Sequence, residues 1–187
     1  KKINLYKNLF ISNSKQIDNT LGCIVFSMDR ALQLDALLRS LSLNRMGECK
    51  VVVIYKSSNK EHKKAYDNVI EKFAKDIVFL EESDSFKTIL NNAIDLIDTG
   101  KLFFLVDDIV FTEKVDFDML SKIDTGKYIF SLRMGEHLNY SYVVDKSQEL
   151  PEFLNKDDNY LYWKWNEGEL DWAYPLSVDG HIFNRLE

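Results

Sequence analysis

From residue 21 the chain switches repeatedly between two hydrophobic periods, and this alternation restricts the possible folds more than any other feature. "LGCIVFSM" (21–28) is an almost unbroken apolar run, and "RALQLDALLRSLSL" (30–43) follows with Leu34, Leu37, Leu38 and Leu41 at helical spacing. "CKVVVIYKSS" (49–58) predicts a second strand, and residues 60–74 a helix with Tyr66, Val69, Ile70 and Phe73 facing inward. "DIVFLEE" (76–82) predicts a third strand. A helix from Phe86 to about Asp98 follows, entered through cap candidates at Ser83 to Ser85 and left through Gly100. "KLFFLVDD" (101–108) is the fourth strand. Strands this apolar are covered on both faces, and strands alternating with helices build a mostly parallel α/β sheet with helices on both faces.

Beyond the fourth strand the pattern loosens. "DFDMLSKI" (116–123) predicts a short helix and "KYIFSLRMG" (127–135) a fifth strand, before a Tyr- and Trp-rich stretch over 159–183. There is no internal repeat and no linker, and both prolines, Pro151 and Pro175, fall in this irregular last third. A chain of 187 residues fits one α/β domain, here 1–187, with an elaborated C-terminal part. The terminal pair Leu186-Glu187 is of the kind left by cloning and is set aside from the fold.

Composition narrows the function. A formal charge of -6, with Lys and Arg dispersed, argues against a nucleic-acid partner. Cys23 and Cys49 lie far apart, and Cys23 opens an apolar run, which predicts reduced core cysteines and a cytoplasmic location. No run has the length of a membrane-spanning helix and no signal-peptide pattern is present, so any membrane association is expected to be peripheral.

Chemistry in an open α/β sheet collects at the carboxyl ends of its strands. Those ends carry Ser27, Asp29, Arg30 and Gln33, then Tyr55 and Lys56, then Lys87 beyond the third strand, and Asp107 and Asp108 after the fourth. Two adjacent carboxylates at the end of an apolar strand stand out, because an unpaired buried carboxylate is costly. If the strand stops at Val106, both emerge at the ligand-binding edge. Paired carboxylates among cations suit Mg²⁺ or Mn²⁺ held together with a phosphate. Four signatures are missing: the glycine-rich dinucleotide loop, the glycine-rich phosphate loop, a nucleophile elbow, and a Cys/His cluster with zinc spacing.

Taken in order, "SMDR" followed by "QLDALLRSL", the strand ending in "VDD", "FSLRMG" and "DWAYPLSVDGHIF" resemble the GT-A glycosyltransferases, in particular the family-2-like bacterial enzymes, over about residues 21–183. The resemblance implies a nucleotide-sugar-binding half over 21–135 and an acceptor-side segment over 136–185. Ser27, Asp29 and Arg30 would hold the nucleoside of a nucleotide-diphosphate sugar, with Tyr55 and Lys56 beside the base and Lys87 facing the diphosphate. Asp107 would contact ribose or sugar, and Asp108 would hold Mn²⁺ or Mg²⁺. Asp179 is the late acidic residue on the acceptor side and the candidate base, and His181 the candidate metal-proximal histidine. The acceptor would be a carbohydrate or a lipid-linked glycan, in bacterial surface polysaccharide synthesis.

The sequence also departs from that pattern, since Ile109 stands where the family places a further aspartate. Two alternatives therefore stay open: a non-catalytic nucleotide- or sugar-binding module, or another metal-dependent nucleotide enzyme such as a nucleotidyltransferase. Trp163, Trp165 and Trp172 fit either the core of a C-terminal subdomain or an acceptor groove.

Overall fold

The computed structural model describes residues 20–83, 85–156 and 160–185. The cap candidate at position 84, the start of the aromatic stretch at 159 and the terminal pair 186–187 lie outside the described residues.

Six strands form the main sheet: β1 (Leu21–Met28), β2 (Cys49–Lys56), β3 (Val78–Glu81), β4 (Lys101–Val106), β5 (Phe130–Ser131) and β6 (His181–Asn184). Their spatial order is β3-β2-β1-β4-β6-β5. The pairs β1–β2, β1–β4 and β2–β3 are parallel, whereas β6 runs antiparallel to both β4 and β5. The sheet is thus mostly parallel, as the apolar runs predict.

The helices α1 (Ala31–Asn44), α2 (Lys60–Phe73) and α3 (Phe86–Ile97) cover both faces. Side chains alternate along a strand, so Leu21, Cys23 and Val25 of β1 join Phe103 and Leu105 of β4 on one face. There they meet Leu34, Leu37, Leu38 and Leu41 of α1 and Tyr66 and Val69 of α2. Each fully buried leucine contributes about 1.5–3 kcal/mol by leaving water. Ile24, Val52, Ile54 and Leu102 face the other way, onto Ala93 and Ile97 of α3. A Cβ on Gly22 would come within 2.1 Å of Ile97 Cγ2, so glycine lets the end of α3 sit against β1.

Several boundaries differ from the sequence expectation, each for a local reason. Helix α3 ends at Asp98 in the left-handed conformation (φ 44°), ahead of Gly100. Strand β3 starts at Val78 because the amides of Asp76 and Ile77 still bond to the Phe73 carbonyl. The predicted helix over 116–123 contracts to α4 (Phe117–Leu120), capped by the Asp116 side chain on the Met119 amide. The predicted strand over 127–135 shrinks to Phe130–Ser131. On one side the amides of Lys127 and Tyr128 turn back to the Asp124 carbonyl. On the other, the Ser131 hydroxyl accepts the amides of Arg133 and Met134 and folds the chain over.

The C-terminal stretch makes two small antiparallel pairs, Tyr140–Ser141 with Lys146–Ser147 and Asn155–Lys156 with Leu161–Tyr162. It then returns as β6 between β4 and β5, so the late segment completes the sheet begun by the early one.

A candidate functional site at the carboxyl ends of β1 and β4

The strand alternation that builds the core also builds the site. Phe26 of β1 is in register with Val106 of β4, so Ser27 and Asp107 lie one step past the last rung, on the face of Phe103 and Leu105. Helix α2 delivers Tyr66 to that face, and α1 begins beside it at Arg30. The Ser27 hydroxyl donates to Asp107 Oδ2 at 2.8 Å, and Arg30 donates to Asp107 Oδ1 at 3.0 Å. Asp107 has given Ser27's single proton its acceptor, so at the 2.6 Å Ser27–Tyr66 contact the tyrosine hydroxyl is the donor. The Tyr66 oxygen in turn accepts the Arg30 amide at 3.1 Å. A closed relay therefore runs from the first turn of α1 through Tyr66 and Ser27 to Asp107 and back through the Arg30 side chain.

The two aspartates part company at this point. Both follow the last residue of β4, as expected, but only Asp108 emerges. Asp107 is 4% exposed with both oxygens engaged, whereas the Asp108 side chain is 53% exposed and Arg30 holds only its Oδ2, at 3.0 Å. The two carboxylates, Asp108 foremost, raise the Arg30 guanidinium above its usual pKa. Ile109, which replaces the family's further acid, packs against the apolar core and donates its amide to the Val106 carbonyl at 3.3 Å.

The remaining candidates fall into three groups. Asp29 adopts φ 57°, donates its amide to the Lys56 carbonyl at 3.1 Å and accepts the Ser58 amide at 2.7 Å. It thereby ties the ends of β1 and β2 together, and the Ser58 amide holds its carboxyl below the usual range. Lys56 reaches across to Glu82 at 2.8 Å, while Tyr55 is buried with its ring 4.7 Å from that of Tyr66. Burial first, then Glu81, pushes the Tyr55 hydroxyl upward. Lys87 is exposed in the first turn of α3. Asp179 and His181 lie elsewhere, at the entry to β6. Asp179 is half-buried with its amide on Ser177 Oγ at 3.1 Å, and Gly180 follows at φ 73°. His181 is buried on the sheet face opposite Asp107, since its neighbour Ile182 packs with Phe103 while its own ring stacks toward Phe183. Burial, and then Arg133, lowers its pKa.

A cation at this site has one exposed protein carboxylate to bind, Asp108. Among the described residues no group of three or more His, Cys, Asp or Glu side chains converges on a metal position. That donor set still fits Mg²⁺ or Mn²⁺, which are commonly held by one or two carboxylates with substrate phosphates and water.

Sequence reasoning gave Tyr66 to the core alone. An inward tyrosine on an otherwise apolar helix face needs a partner for its hydroxyl, and that requirement was the available signal. It likewise did not single out Ser131 and Asp171. With His181 they line a cavity of about 230 Å³ walled by Tyr128, Trp165 and Tyr174, and no member of the Ser27–Arg30–Asp107–Asp108 set lines it.

No family model and no curated protein matches the sequence. Among solved structures, S. aureus TarS matches over 89% of this chain and 28% of its own, at 14% identity and TM-score 0.54. The 1–349 portion of TarS matches over 89% of this chain and 47% of its own, at 15% identity and TM-score 0.52. A mannosyltransferase from Pyrobaculum calidifontis, solved with GDP-Man and Mn²⁺, covers 66% of this chain and 41% of its own at 15% identity; its TM-score of 0.45 is too low to bear on the fold. The chain spans under half the length of each of these proteins. The fold is shared with S. aureus TarS, and at this identity the likeness extends to the fold alone.

Proposed function

We propose that this chain is the donor-binding part of a glycosyltransferase, taking a sugar from a nucleotide-diphosphate sugar and passing it to a carbohydrate or lipid-linked acceptor. The observation that carries this reading is the split acid pair at the end of β4. Asp107 is fixed from below by Ser27 and Arg30, and this presents Asp108 to solvent at the edge where open α/β sheets bind ligands. The glycosyltransferase fold supports it.

Asp108 would hold a divalent cation, Mn²⁺ or Mg²⁺, which when bound offsets the charge that develops on the departing nucleoside diphosphate. The chain's own residues supply the rest. Arg30 places a fixed positive charge at the same edge, where preorganised charge acts most strongly on a developing anion. Asp29, pinned to Ser58, shapes the loop between the ends of β1 and β2 into a shelf for the nucleoside. Lys87, exposed on α3, is the further cation for the diphosphate. Asp179, at the entry to β6, is the acceptor-side carboxylate and the proposed base. A role in bacterial surface polysaccharide assembly, in the cytoplasm, completes the reading. It takes residues 21–135 as the donor half and 136–185 as the acceptor side of one domain.

Thermal unfolding with UDP, GDP and their sugars, with and without Mn²⁺, tests it. A bound nucleotide raises the melting temperature by mass action, and absence of any cation-dependent shift across the set defeats the proposal.

One observation favours a second reading. Both Asp107 oxygens are engaged and Ile109 is turned into the core, leaving a shortened acidic element suited to a non-catalytic nucleotide- or sugar-binding module. Nucleotide-sugar binding without transfer or hydrolysis, in a chain extended to the length of the solved relatives, would select it.

A further inference from the structure

The cavity between the β5 edge and the segment 160–175 combines two features that rarely meet by chance. Its mouth carries large flat rings left open to solvent, with Trp165 54% and Tyr174 59% exposed and Tyr128 on the same wall. Exposed rings of this size gathered at one concavity mark a binding surface more often than spare core. Its lining also carries buried polar atoms with unspent hydrogen-bonding capacity. His181 is 3% exposed, and its Nδ1 has no hydrogen-bond partner among the described residues. Ser131 Oγ accepts two backbone amides, leaving its own proton to donate into the cavity. Asp171 makes only long contacts, 3.4 Å each to Arg133 and Gln148, and its carboxylate keeps further acceptor sites.

We infer that this cavity binds one pyranose ring of a carbohydrate, with an apolar sugar face against Trp165 and Tyr174 and hydroxyls directed to His181, Ser131 and Asp171. A pyranose has this division, with C–H groups on its faces and hydroxyls around its rim. An acyl chain would set apolar atoms against the polar groups of Ser131 and Asp171, which disfavours it. The volume of about 230 Å³ lies below the roughly 300–1,000 Å³ of pockets for drug-sized ligands, and so limits the occupant to a single ring. His181 lies on the opposite sheet face from Asp107, yet it is close in the strand order of the sheet: the Gly180 amide, next to it, bonds to the Phe104 carbonyl of β4 at 2.8 Å. An acceptor sugar held here would approach the donor edge from the β6 side. That role, unlike the binding itself, rests on the glycosyltransferase reading.

The test is saturation-transfer NMR, with tryptophan fluorescence in parallel. The probes are the methyl pyranosides of glucose, mannose and N-acetylglucosamine, used without nucleotide or metal. At least one is expected to bind with a dissociation constant on the order of 1–10 mM. Trp165→Ala and His181→Phe should each weaken binding about tenfold or more, and Trp165→Ala, altering an exposed ring, should leave the melting temperature in place. No signal from any glycoside overturns the inference, as does binding unchanged in both variants. Binding of adenosine or of a short alkyl phosphate at these residues in place of glycosides overturns it too. Glycoside binding in a protein that binds no nucleotide defeats only the donor proposal.

Discussion

Ser27 donates a 2.8 Å hydrogen bond to Asp107 across 80 residues of sequence, joining the ends of two adjacent parallel strands. This bond decides how the acid pair is used. A carboxylate that accepts a buried hydroxyl and a guanidinium is committed to holding the strand ends in place. Its neighbour, turned outward by strand alternation, keeps an oxygen for other partners. The pair is one anchor and one exposed ligand, not two equivalent ligands.

The division predicts opposite phenotypes for two adjacent substitutions. Asp107→Asn removes the charge from a buried carboxylate that accepts Ser27 and Arg30, and should destabilise the fold by about 1.5–3 kcal/mol. Asp108→Asn alters an exposed side chain and should stay within about 0.5 kcal/mol of the parent in stability. It should nevertheless abolish any cation-dependent nucleotide binding. Denaturant unfolding measures the first effect, and nucleotide titration with and without Mn²⁺ measures the second. Equal stability losses in both variants would refute the division.

Much of this was legible in the sequence because it depends on period. The apolar runs gave the sheet, the leucines of α1 its buried face, and the end of β4 fell at Val106 as read. Asp107 could not be recognised as buried, because its partners Ser27 and Arg30 lie 80 and 77 residues away in sequence. The burial of His181 beside Phe183 was equally hidden, because it depends on the insertion of β6 antiparallel to β4. The strand predicted over 127–135 failed because Ser131 satisfies two backbone amides through its side chain, which hydrophobic pattern does not reveal.

Gly22→Ala tests the packing of α3 on the sheet. The added methyl would meet Ile97 Cγ2 at 2.1 Å and Thr99 Oγ1 at 2.6 Å, too close for adjustment of a single rotamer. Overpacking of this kind should cost about 1–3 kcal/mol, read as a lowered denaturant midpoint at unchanged slope. A variant as stable as the parent would show that α3 is free to shift.

Cys23 and Cys49 are both free and buried. Burial pushes the Cys49 thiol up to about 12 and raises Cys23 well above its ordinary value. Since the thiolate is the reactive form, neither should be alkylated by iodoacetamide at pH 8 in the folded protein, and both should react once it is unfolded. Mass spectrometry of the quenched reaction counts the adducts, and rapid labelling under native conditions would contradict this burial.

His181 supplies a pH dependence with a defined sign. Burial and the nearby Arg133 lower its pKa in the folded protein, whereas in the unfolded chain it returns to about 6.5. Between those two values the unfolded state binds more protons than the folded state, so stability rises with pH through that window. The full contribution is present above about pH 6.5 and is lost as the pH falls below it toward the folded-state value. Melting temperatures should therefore decline from about pH 7.5 to 5.5, before most carboxylates begin to titrate. His181→Phe cannot be protonated and should flatten that part of the profile while keeping the steeper loss at lower pH. A parent and variant with parallel profiles would mean that His181 gains its proton without disturbing the fold. The cavity it lines would then be wetter than its 3% exposure implies.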